Sequence, residues 1–408
     1  MRDHLELGII PFWAAHACDA ECGGYLTRFD EAGRSLGTPE KYLNKQCRLL
    51  WWFSTLAICY RQPESLALAR HGFEFITRHF WDIEHGGWFW KVLRNGEPID
   101  QGKVVYGQSF AIYALSEFAL ATHDPKAEQL ARQTFDLLQV QCADTQHGGY
   151  FENLERDWSV SAAGFHAGDR KSLDTHLHLL ESFTVLYRLT RAEIHRRKLL
   201  EVAALIQERM IDPVSGCGRN QFDFAFTPLP AIAIRRTWNA ERNGDALATP
   251  TDTTSYGHNL ELAWLLRRAL ETAGADLAAS RPALLRLASH ALAHGIDHEY
   301  GGVYRDGTAT GGPIVLEKEF WQNAEALVGL LDAYELSGDP HMLDAFLNVW
   351  RFARDHFVAP CGEWRVLLDR TGRPLDANVG NDWKAVYHTG RAMLECVERL
   401  DPLQEKNT

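Results

Sequence analysis

The sequence predicts an all-α fold in which twelve helices form an (α/α)6 barrel, with two concentric rings and short hairpins or strands in the connecting loops. Two observations predict it. A glycine-rich, aromatic segment recurs six times along the 408 residues, and apolar stretches with helical period lie between the copies. Two adjacent glycines followed by aromatic residues indicate a tight turn that enters a short strand. The copies are CGGYLTRFD from Cys22, HGGWFWKVL from His85, HGGYFENLE from His147, SGCGRNQFD from Ser215, YGGVYRDG from Tyr300 and CGEWRVLLD from Cys361.

The helical stretches are of two kinds. One kind is apolar and aromatic nearly all round, as in YGQSFAIYALSEFAL, which indicates an inner ring contacted on both sides. The other kind carries a charged face, as in TRAEIHRRKLLEVAALIQERM, which is typical of an outer ring. The helices are predicted at 40–60, 103–121, 171–191, 254–273, 318–336 and 383–399 for the inner ring, and at 5–17, 64–79, 125–141, 193–211, 281–295 and 341–357 for the outer ring. We expect them to close into one domain spanning 1–408, with an open solenoid of the same units as the alternative.

Composition excludes several classes of partner. The net charge is −12, so the chain lacks the excess of lysine and arginine with which proteins bind nucleic acid or anionic membranes. No charge-free apolar stretch is long enough to span a bilayer, and the N-terminal MRDHLELGIIPFW does not resemble a signal peptide. Eight scattered cysteines without a CxxC pair fit reduced thiols, so we expect a cytoplasmic protein. His16, Cys18 and Cys22 lack a second ligand pair, so no metal site is expected there.

Polar side chains that fit poorly on buried helices are concentrated near the starts of the predicted inner helices. In a closed barrel these helix starts converge on one cavity, where a ligand would bind. Every inner helix contributes at least one such residue, which favours a common site over six separate structural roles. The set comprises Arg48, Tyr106, Asp174, His176, His178, His258, Glu261, Trp321, Glu325, Trp383 and His388.

Helix geometry orders part of this set. Residues three or four positions apart share a helix face, whereas residues two apart point in nearly opposite directions. Asp174 and His178 therefore face the same way, and His258 shares a face with Glu261, whose carboxylate could orient and charge the imidazole. His176 and His178 point apart, which makes the H-x-H sequence a weak metal motif.

An arginine, several carboxylates and aromatic rings together describe a carbohydrate pocket. Two carboxylates alone would favour an inverting glycoside hydrolase, which remains an alternative. The histidines exceed that need, and an imidazole suits a general base that removes a proton next to a carbonyl and later returns it. Arg48 and Tyr106 could donate hydrogen bonds to the enediolate that forms.

At these residues the sequence resembles the N-acylglucosamine 2-epimerase superfamily, nearest the branch of cellobiose 2-epimerases and mannose isomerases or epimerases. The resemblance covers nearly the whole chain, with the motifs in the family's order. It is carried by KSLDTHLHLLESFTVLYR, SYGHNLELAWLL, FWQNAEALVG, the GEW at Gly362 and WKAVYHTGR. It implies the same barrel, no cofactor, a free aldose as substrate, and epimerisation or aldose–ketose isomerisation at C2 through a cis-enediolate.

The resemblance also implies roles for individual residues. His258 and His388 would be the acid/base pair, and His178 would hold the substrate and assist ring opening. Arg48 would bind the carbonyl or enediolate oxygen. Tyr106, Glu261 and Glu325 would contact hydroxyls or orient the histidines, Trp321 and Trp383 would stack on the sugar, and Asp174 would lie in the binding site beside His178.

Cellobiose 2-epimerases usually carry asparagine at the position of Asp174, so the resemblance favours an unmodified monosaccharide. We therefore expect isomerisation of D-mannose to D-fructose by a monomer or homodimer. The alternatives are 2-epimerisation of mannose or glucose, of cellobiose or of N-acetylglucosamine, a glycoside hydrolase on the same barrel, and a non-catalytic binding protein.

Overall fold

The computed structural model describes residues 1–236 and 253–405, without the side chains of 402–405. Twelve helices lie in these described residues, as the sequence predicts, and we number them α1–α12. Their bounds are α1 Arg2–His4, Leu5–Ile9 and Ile10–His16; α2 Leu43–Tyr60; α3 Pro63–His79; α4 Val105–Thr122; α5 Pro125–Leu137 with Leu138–Cys142; α6 Leu173–Thr190; α7 Glu193–Leu205 with Ile206–Met210; α8 Tyr256–Thr272; α9 Arg281–His294; α10 Phe320–Ser337; α11 Pro340–Phe352 with Ala353–Phe357; and α12 Tyr387–Glu405. Among them, no helix is long and apolar enough to cross a membrane.

Contacts between the helices form a closed series. The even-numbered helices pack side by side from α2 to α12, and α12 also contacts α2. Each odd-numbered helix packs against an even-numbered one, with α1 against α12. The two kinds of helix differ in burial as the sequence predicts: α4 is buried over almost its whole length, whereas α5 buries one stripe of residues. A helix contacted on both sides must be apolar all round, and a helix at the surface needs only one apolar stripe.

Short antiparallel strands precede most of the even-numbered helices. The strands form five small sheets, made of Glu40–Tyr42, Lys91–Leu93 and Pro98–Asp100; Lys103–Val104 and Asn153–Leu154; Lys171–Ser172 and Gln221–Phe222; Thr253–Ser255, Asp306–Thr308 and Pro313–Val315; and Lys318–Glu319, Leu367–Leu368 and Pro374–Asp376. The predicted helix starts at 40, 103, 171, 254 and 318 were therefore two or three residues early. The helical period continued through these residues, but pairing with a neighbouring segment holds them extended.

The predicted start of the last helix at 383 was also early, since α12 begins at Tyr387. The side chain of Asn381 accepts hydrogen bonds from the backbone amides of Trp383 and Lys384, at 2.8 and 2.6 Å. This is an Asx turn, which competes with helix formation. It leaves the Trp383 side chain on a loop at the start of α12.

The six glycine-rich segments form equivalent turns. Each contains an antiparallel bridge, as between Cys18 and Tyr25 or between Trp81 and Trp88. In the first segment Gly24 has a φ of +67°, and a Cβ there would lie 2.6 Å from the ring of Phe75, so only glycine fits.

Each of the first five glycine-rich segments is held by a polar side chain near the start of an even-numbered helix. Gln46 bonds both the amide and the carbonyl of Tyr25, and Gln108, His176, Asn259 and Asn323 each accept from the corresponding backbone amide in the next four segments. His176 therefore has a structural role, since its Nε2 accepts from the Tyr150 amide at 3.2 Å. These hydrogen bonds hold the glycine-rich segments against the helix starts, where the predicted functional residues lie.

Candidate active site

A cavity at the starts of the even-numbered helices brings together nine of the ten predicted site residues. Its volume is about 50 Å³. Glu325 is the tenth, and it lies just beneath the cavity, where its carboxylate contacts His388. Phe320 and Glu319, which the sequence analysis did not select, complete the lining. The lining residues are Arg48, Tyr106, Asp174, His178, His258, Glu261, Glu319, Phe320, Trp321, Trp383 and His388.

Asp174 bridges two of the histidines. Its Oδ1 atom lies 3.3 Å from Nε2 of His178 and 3.6 Å from Nε2 of His258. Burial opposes charge on both imidazoles, but the carboxylate of Asp174 outweighs it and raises the pKa of His258; with Glu181, it raises the pKa of His178 to about 9. The two histidines in turn lower the pKa of Asp174, against the effect of its burial. The cationic form of His258 is thus favoured.

His388 lies in a different electrostatic environment. Its Nδ1 is 2.7 Å from Oε1 of Glu325, which leaves Nε2 as the ring nitrogen available to a ligand. Burial, together with the positive charges of Arg48 and Arg391, holds the pKa of His388 well below its ordinary value. His388 is therefore neutral at neutral pH, and its unprotonated nitrogen can accept a proton. The cavity thus places two imidazoles with opposite pKa shifts beside the same ligand space.

Trp321 contacts both of these histidines. Its ring centroid lies 4.6 Å from that of His258 and 5.7 Å from that of His388. Trp383 also lines the cavity, its ring centroid lies 5.5 Å from that of Tyr42, and its buried Nε1 has no hydrogen-bond partner among the described residues. The cavity is therefore lined in part by flat aromatic surfaces.

Arg48 and Tyr106 form a donor pair on the wall near His178. Nη2 of Arg48 donates to the Tyr106 hydroxyl at 2.7 Å, and the guanidinium lies over the rings of Phe110 and Tyr387 at 4.4 and 4.6 Å. These contacts fix the orientation of the guanidinium. Nε of Arg48 is buried without a partner among the described residues, so it can donate to a ligand oxygen.

A buried polar layer supports the cavity from beneath. Arg391 bonds the carboxylates of Glu181, Glu261 and Glu325, and the last of these contacts, from Nη2 to Oε1, is 2.7 Å long. Glu181 Oε2 lies 3.1 Å from Nδ1 of His178 and 2.5 Å from the hydroxyl of Tyr387. One guanidinium therefore holds carboxylates from three helices, and two of them orient histidines of the cavity.

This layer also corrects one expectation from the sequence. Glu261 is predicted to orient and charge His258: its charge adds to that of Asp174 in raising the pKa of His258, but its Oε1 atom accepts from Arg391, and Asp174 takes the place beside the imidazole. The i,i+3 spacing predicted a shared helix face correctly, and both residues do line the cavity. Spacing on one helix could not reveal the competing arginine of α12.

Sequence analysis missed three residues of the layer, although the quoted motifs contain them. Glu181 ends KSLDTHLHLLE and stands three residues after His178, on the same helix face. Tyr387 and Arg391 occur in WKAVYHTGR, four residues apart. A charged residue on a largely apolar stretch was the available signal, because such residues are seldom fully buried without a partner.

Glu261, Glu325 and His388 each direct one ligand-type atom into a region in which those atoms lie within 4.8 Å of one another. A cation could in principle bind such a group. Here the guanidinium of Arg391 bonds both carboxylates, so this charge already occupies the position between them. The donor set fits an arginine-centred ion-pair network better than a metal centre.

Comparison with known proteins finds relatives over nearly the whole chain. A model of the N-acylglucosamine 2-epimerase (GlcNAc 2-epimerase) family matches residues 24–392. A cellobiose 2-epimerase of Dictyoglomus turgidum is 30% identical over 412 residues, covering 98% of this chain and 97% of the relative. A D-mannose isomerase of Marinomonas mediterranea is 22% identical, covering 98% and 97% of the two chains.

Among solved structures, the cellobiose 2-epimerase of Bacillus thermoamylovorans superposes with a TM-score of 0.87 at 27% identity, covering 98% of both chains. The family match extends over most of this chain and includes the whole set of cavity residues. The chain therefore belongs to the N-acylglucosamine 2-epimerase family and is an epimerase or isomerase.

Proposed function

We propose that this protein moves a proton at C2 of a free aldose through a cis-enediolate, with His388 as the base and His258 as the acid. One observation carries the proposal: His258 and His388 line the same cavity and both contact Trp321, with the pKa of His258 raised and that of His388 lowered. Proton removal next to a carbonyl needs a base that is unprotonated at the working pH and an acid that can protonate the carbonyl oxygen.

The proposed sequence begins with the open-chain aldose. Nε2 of His388 takes the proton from C2 while the cation of His258 gives a proton to O1, which yields the enediol. Arg48 and Tyr106 stabilise the negative charge that develops on oxygen, because their donors are held in place before the reaction. Return of the proton to C1, with loss of the O2 proton, produces a ketose. For the epimer, O1 stays unprotonated in the enediolate, and the cation of His258 gives its proton to the opposite face of C2, so that the two histidines act from either side of C2.

The surrounding architecture forms part of the same proposal. We assign the closed series of twelve helices to an (α/α)6 barrel and regard 1–408 as one catalytic domain. The assignment is supported by the contact between α12 and α2, and by the pairing of each odd-numbered helix with an even-numbered one. Monomer or homodimer remains the expected state.

For the substrate we propose D-mannose, isomerised to D-fructose. The cavity at the histidines is narrow, at about 50 Å³, so lining side chains must move apart when a sugar enters. A monosaccharide requires less movement than a disaccharide. The second candidate is 2-epimerisation of cellobiose, which is supported by the higher identity to the cellobiose 2-epimerase of Dictyoglomus turgidum than to the mannose isomerase.

Proton NMR in heavy water tests the proposal. Purified protein with chelator is incubated with D-mannose, D-glucose, D-fructose, cellobiose and N-acetylglucosamine. Deuterium at C2 or C1 of at least one sugar is the expected result, with fructose formed from mannose if the preferred substrate is correct. Absence of exchange from the whole panel, or release of reducing ends from oligosaccharides instead, would contradict the proposed chemistry.

A matched pair of variants assigns the exchange to the cavity. His388→Asn should lower the exchange rate about 10²–10⁴-fold, the usual contribution of a general base. His290→Asn is the control, because His290 is also buried but bonds the carbonyl of Ala309 outside the cavity. Equal rates in the two variants would remove His388 from the mechanism.

A further inference from the structure

A second and larger cavity lies at the other end of the even-numbered helices. Its volume is about 610 Å³, within the range of small-molecule sites. Its walls include Cys59, Leu120, Arg188 and Thr272, which stand in or near the last turns of α2, α4, α6 and α8. It shares no lining residue with the histidine cavity, which is built from the first turns of the helices.

Aromatic side chains line part of this second cavity. Trp51, Tyr113 and Trp264 contribute to its walls and are at most 5% exposed. The rings of Trp51 and Tyr113 are stacked, with centroids 5.5 Å apart and an angle of 20° between planes. Trp264 is held by a hydrogen bond from its Nε1 to Glu325 at 3.2 Å. The cavity therefore has rigid apolar surfaces formed before any ligand arrives.

Charged side chains of both signs line the same space in equal number. Arg188 bonds Glu117, and Arg268 bonds both carboxylate oxygens of Glu395 at 2.5 Å. In both pairs the arginine side chain is 40–45% exposed, whereas the carboxylate is largely buried. The charged lining residues are Glu117, Glu181, Glu395, Glu398, Arg188, Arg191, Arg268 and Arg391.

Four carboxylates and four guanidiniums, six of them joined in three ion pairs, select against a charged ligand. A carboxylate or an ammonium group would face groups of its own sign as well as of the opposite sign, and it would lose its hydration. A hydroxyl group both donates and accepts, so it can bond a carboxylate and a guanidinium together. The lining therefore fits a neutral molecule with several hydroxyl groups.

The guanidinium of Arg391 provides a buried donor in this lining that bonds no atom of the described residues. Arg391 is 2% exposed, and its Nη1 and Nη2 atoms bond the carboxylates of the polar layer. Its Nε atom is buried and bonds no atom of the described residues. A buried N–H without an acceptor is unfavourable, so an oxygen atom of a ligand would be bound there.

We propose that this cavity is a second binding site, for a neutral polyhydroxylated molecule of monosaccharide or disaccharide size. One ligand oxygen accepts from Nε of Arg391, the apolar face of the ligand lies against Trp51 and Trp264, and further hydroxyls bond the arginine–glutamate pairs. Arg391 and Glu181 belong both to this lining and to the polar layer beneath the histidine cavity, and the site requires no turnover of the bound molecule.

Sorbitol and D-gluconate form the matched pair of probes, because they differ only at C1, which is a neutral alcohol in one and a carboxylate in the other. Neither has an aldehyde that the histidines could process. Binding to the full-length protein is measured by calorimetry, and the bound molecule is located in soaked crystals. Sorbitol is expected to bind between Trp51 and Arg391, at least tenfold more tightly than gluconate.

Two threonine variants test whether sorbitol binds in this cavity. Thr55 is partly exposed and lines the cavity, so Thr55→Trp should fill the space and weaken sorbitol binding at least tenfold. Thr77→Trp is the control, since Thr77 has intermediate exposure on α3 and lines neither cavity. Thermal unfolding checks that both variants fold. If Thr55→Trp does not fold, Val185→Trp replaces it, because Val185 lines the same cavity from α6.

Three outcomes would overturn the proposal. They are absence of sorbitol binding outside the histidine cavity, unchanged binding in a folded cavity-filling variant, and gluconate binding as tight as that of sorbitol. Loss of sugar turnover in the heavy-water experiment would leave these measurements unaffected, so the two proposals can fail separately.

Discussion

Glu325 and His388 are joined by a contact of 2.7 Å between Oε1 and Nδ1, although they stand on different helices, α10 and α12. The contact selects which ring nitrogen of His388 faces the cavity. Burial, with the nearby carboxylates of Glu261 and Glu181, raises the pKa of Glu325, while Arg391 opposes this shift. The charge of Glu325 and the basicity of His388 are therefore linked.

Replacing Glu325 by glutamine should lower turnover on the order of 10²-fold. The amide has the same shape, but it can present its NH₂ group to Nδ1 and so favour the wrong tautomer of His388. Steady-state kinetics with the substrate found by exchange NMR measures the effect. Glu335→Gln is the control, because Glu335 pairs with Arg267 at the surface. Unchanged turnover in Glu325→Gln would show that this contact does not orient the base.

Asp174→Asn should move the basic limb of the pH–rate profile to lower pH. In the folded protein Asp174 raises the pKa of His258, so the cation of His258 persists above 6.5 and is lost as the pH rises through the raised pKa. The asparagine removes that attraction. The acidic limb, set by the lowered pKa of His388, should move much less. The measurement is kcat/KM between pH 5 and pH 10.

Asp169→Asn serves as the matched control for that profile. Asp169 is partly exposed, pairs with Arg170 and lies outside the cavity. Its profile should coincide with that of the unmodified protein. If Asp174→Asn also leaves the basic limb in place, then a group other than His258 is the acid.

Protonation of His178 should stabilise the folded state in a defined pH window. Its pKa is about 9 in the folded protein, against an ordinary value of 6.5. A raised pKa means that the stabilisation is complete below about 6.5 and is lost as the pH rises through 9. The difference in free energy of unfolding between the unmodified protein and His178→Gln should therefore be larger at pH 6 than at pH 9.5.

For His290→Gln, the same difference in free energy of unfolding should change with pH in the opposite direction. Denaturant unfolding measures this difference for both variants. Burial lowers the pKa of His290, so its contribution is present at higher pH and is lost as the pH falls through the lowered pKa. If this difference in free energy of unfolding changed with pH in the same direction for both variants, the assignment of a charged His178 would be contradicted.

Arg391→Met should lower the free energy of unfolding by about 3–5 kcal/mol, because it leaves three buried carboxylates without their counter-charge. Arg391→Lys should lower the free energy of unfolding by less than Arg391→Met does. The ammonium group keeps the positive charge, but it cannot bond three carboxylates in a plane. Arg132→Met, which breaks an exposed pair with Glu128, should cost less than about 1 kcal/mol. If Arg391→Met lowered the free energy of unfolding as little as Arg132→Met, the three carboxylates would have taken up protons in place of the missing counter-charge.

Much of the candidate site could be predicted from the chain alone, because the chemistry is repeated at the starts of the helices. All ten selected residues lie in or directly beneath one cavity. The errors concerned partners. Asp174, rather than Glu261, contacts His258, and Glu181, Tyr387 and Arg391 were not selected. Each of these contacts joins different helices, and helical spacing carries information only about neighbours on the same helix.

The sequence by itself determined the twelve helices, their alternation between buried and half-exposed kinds, and the six glycine-rich turns, because these depend on local periodicity and on the backbone freedom of glycine. Only the tertiary structure decided which imidazole has a raised pKa and which a lowered one. His258 and His388 have the same side chain, and each precedes a residue that contacts its own glycine-rich segment, Asn259 or Thr389. They differ because Asp174 lies beside one and the guanidiniums of Arg48 and Arg391 lie near the other, and a pKa depends on such distances in space.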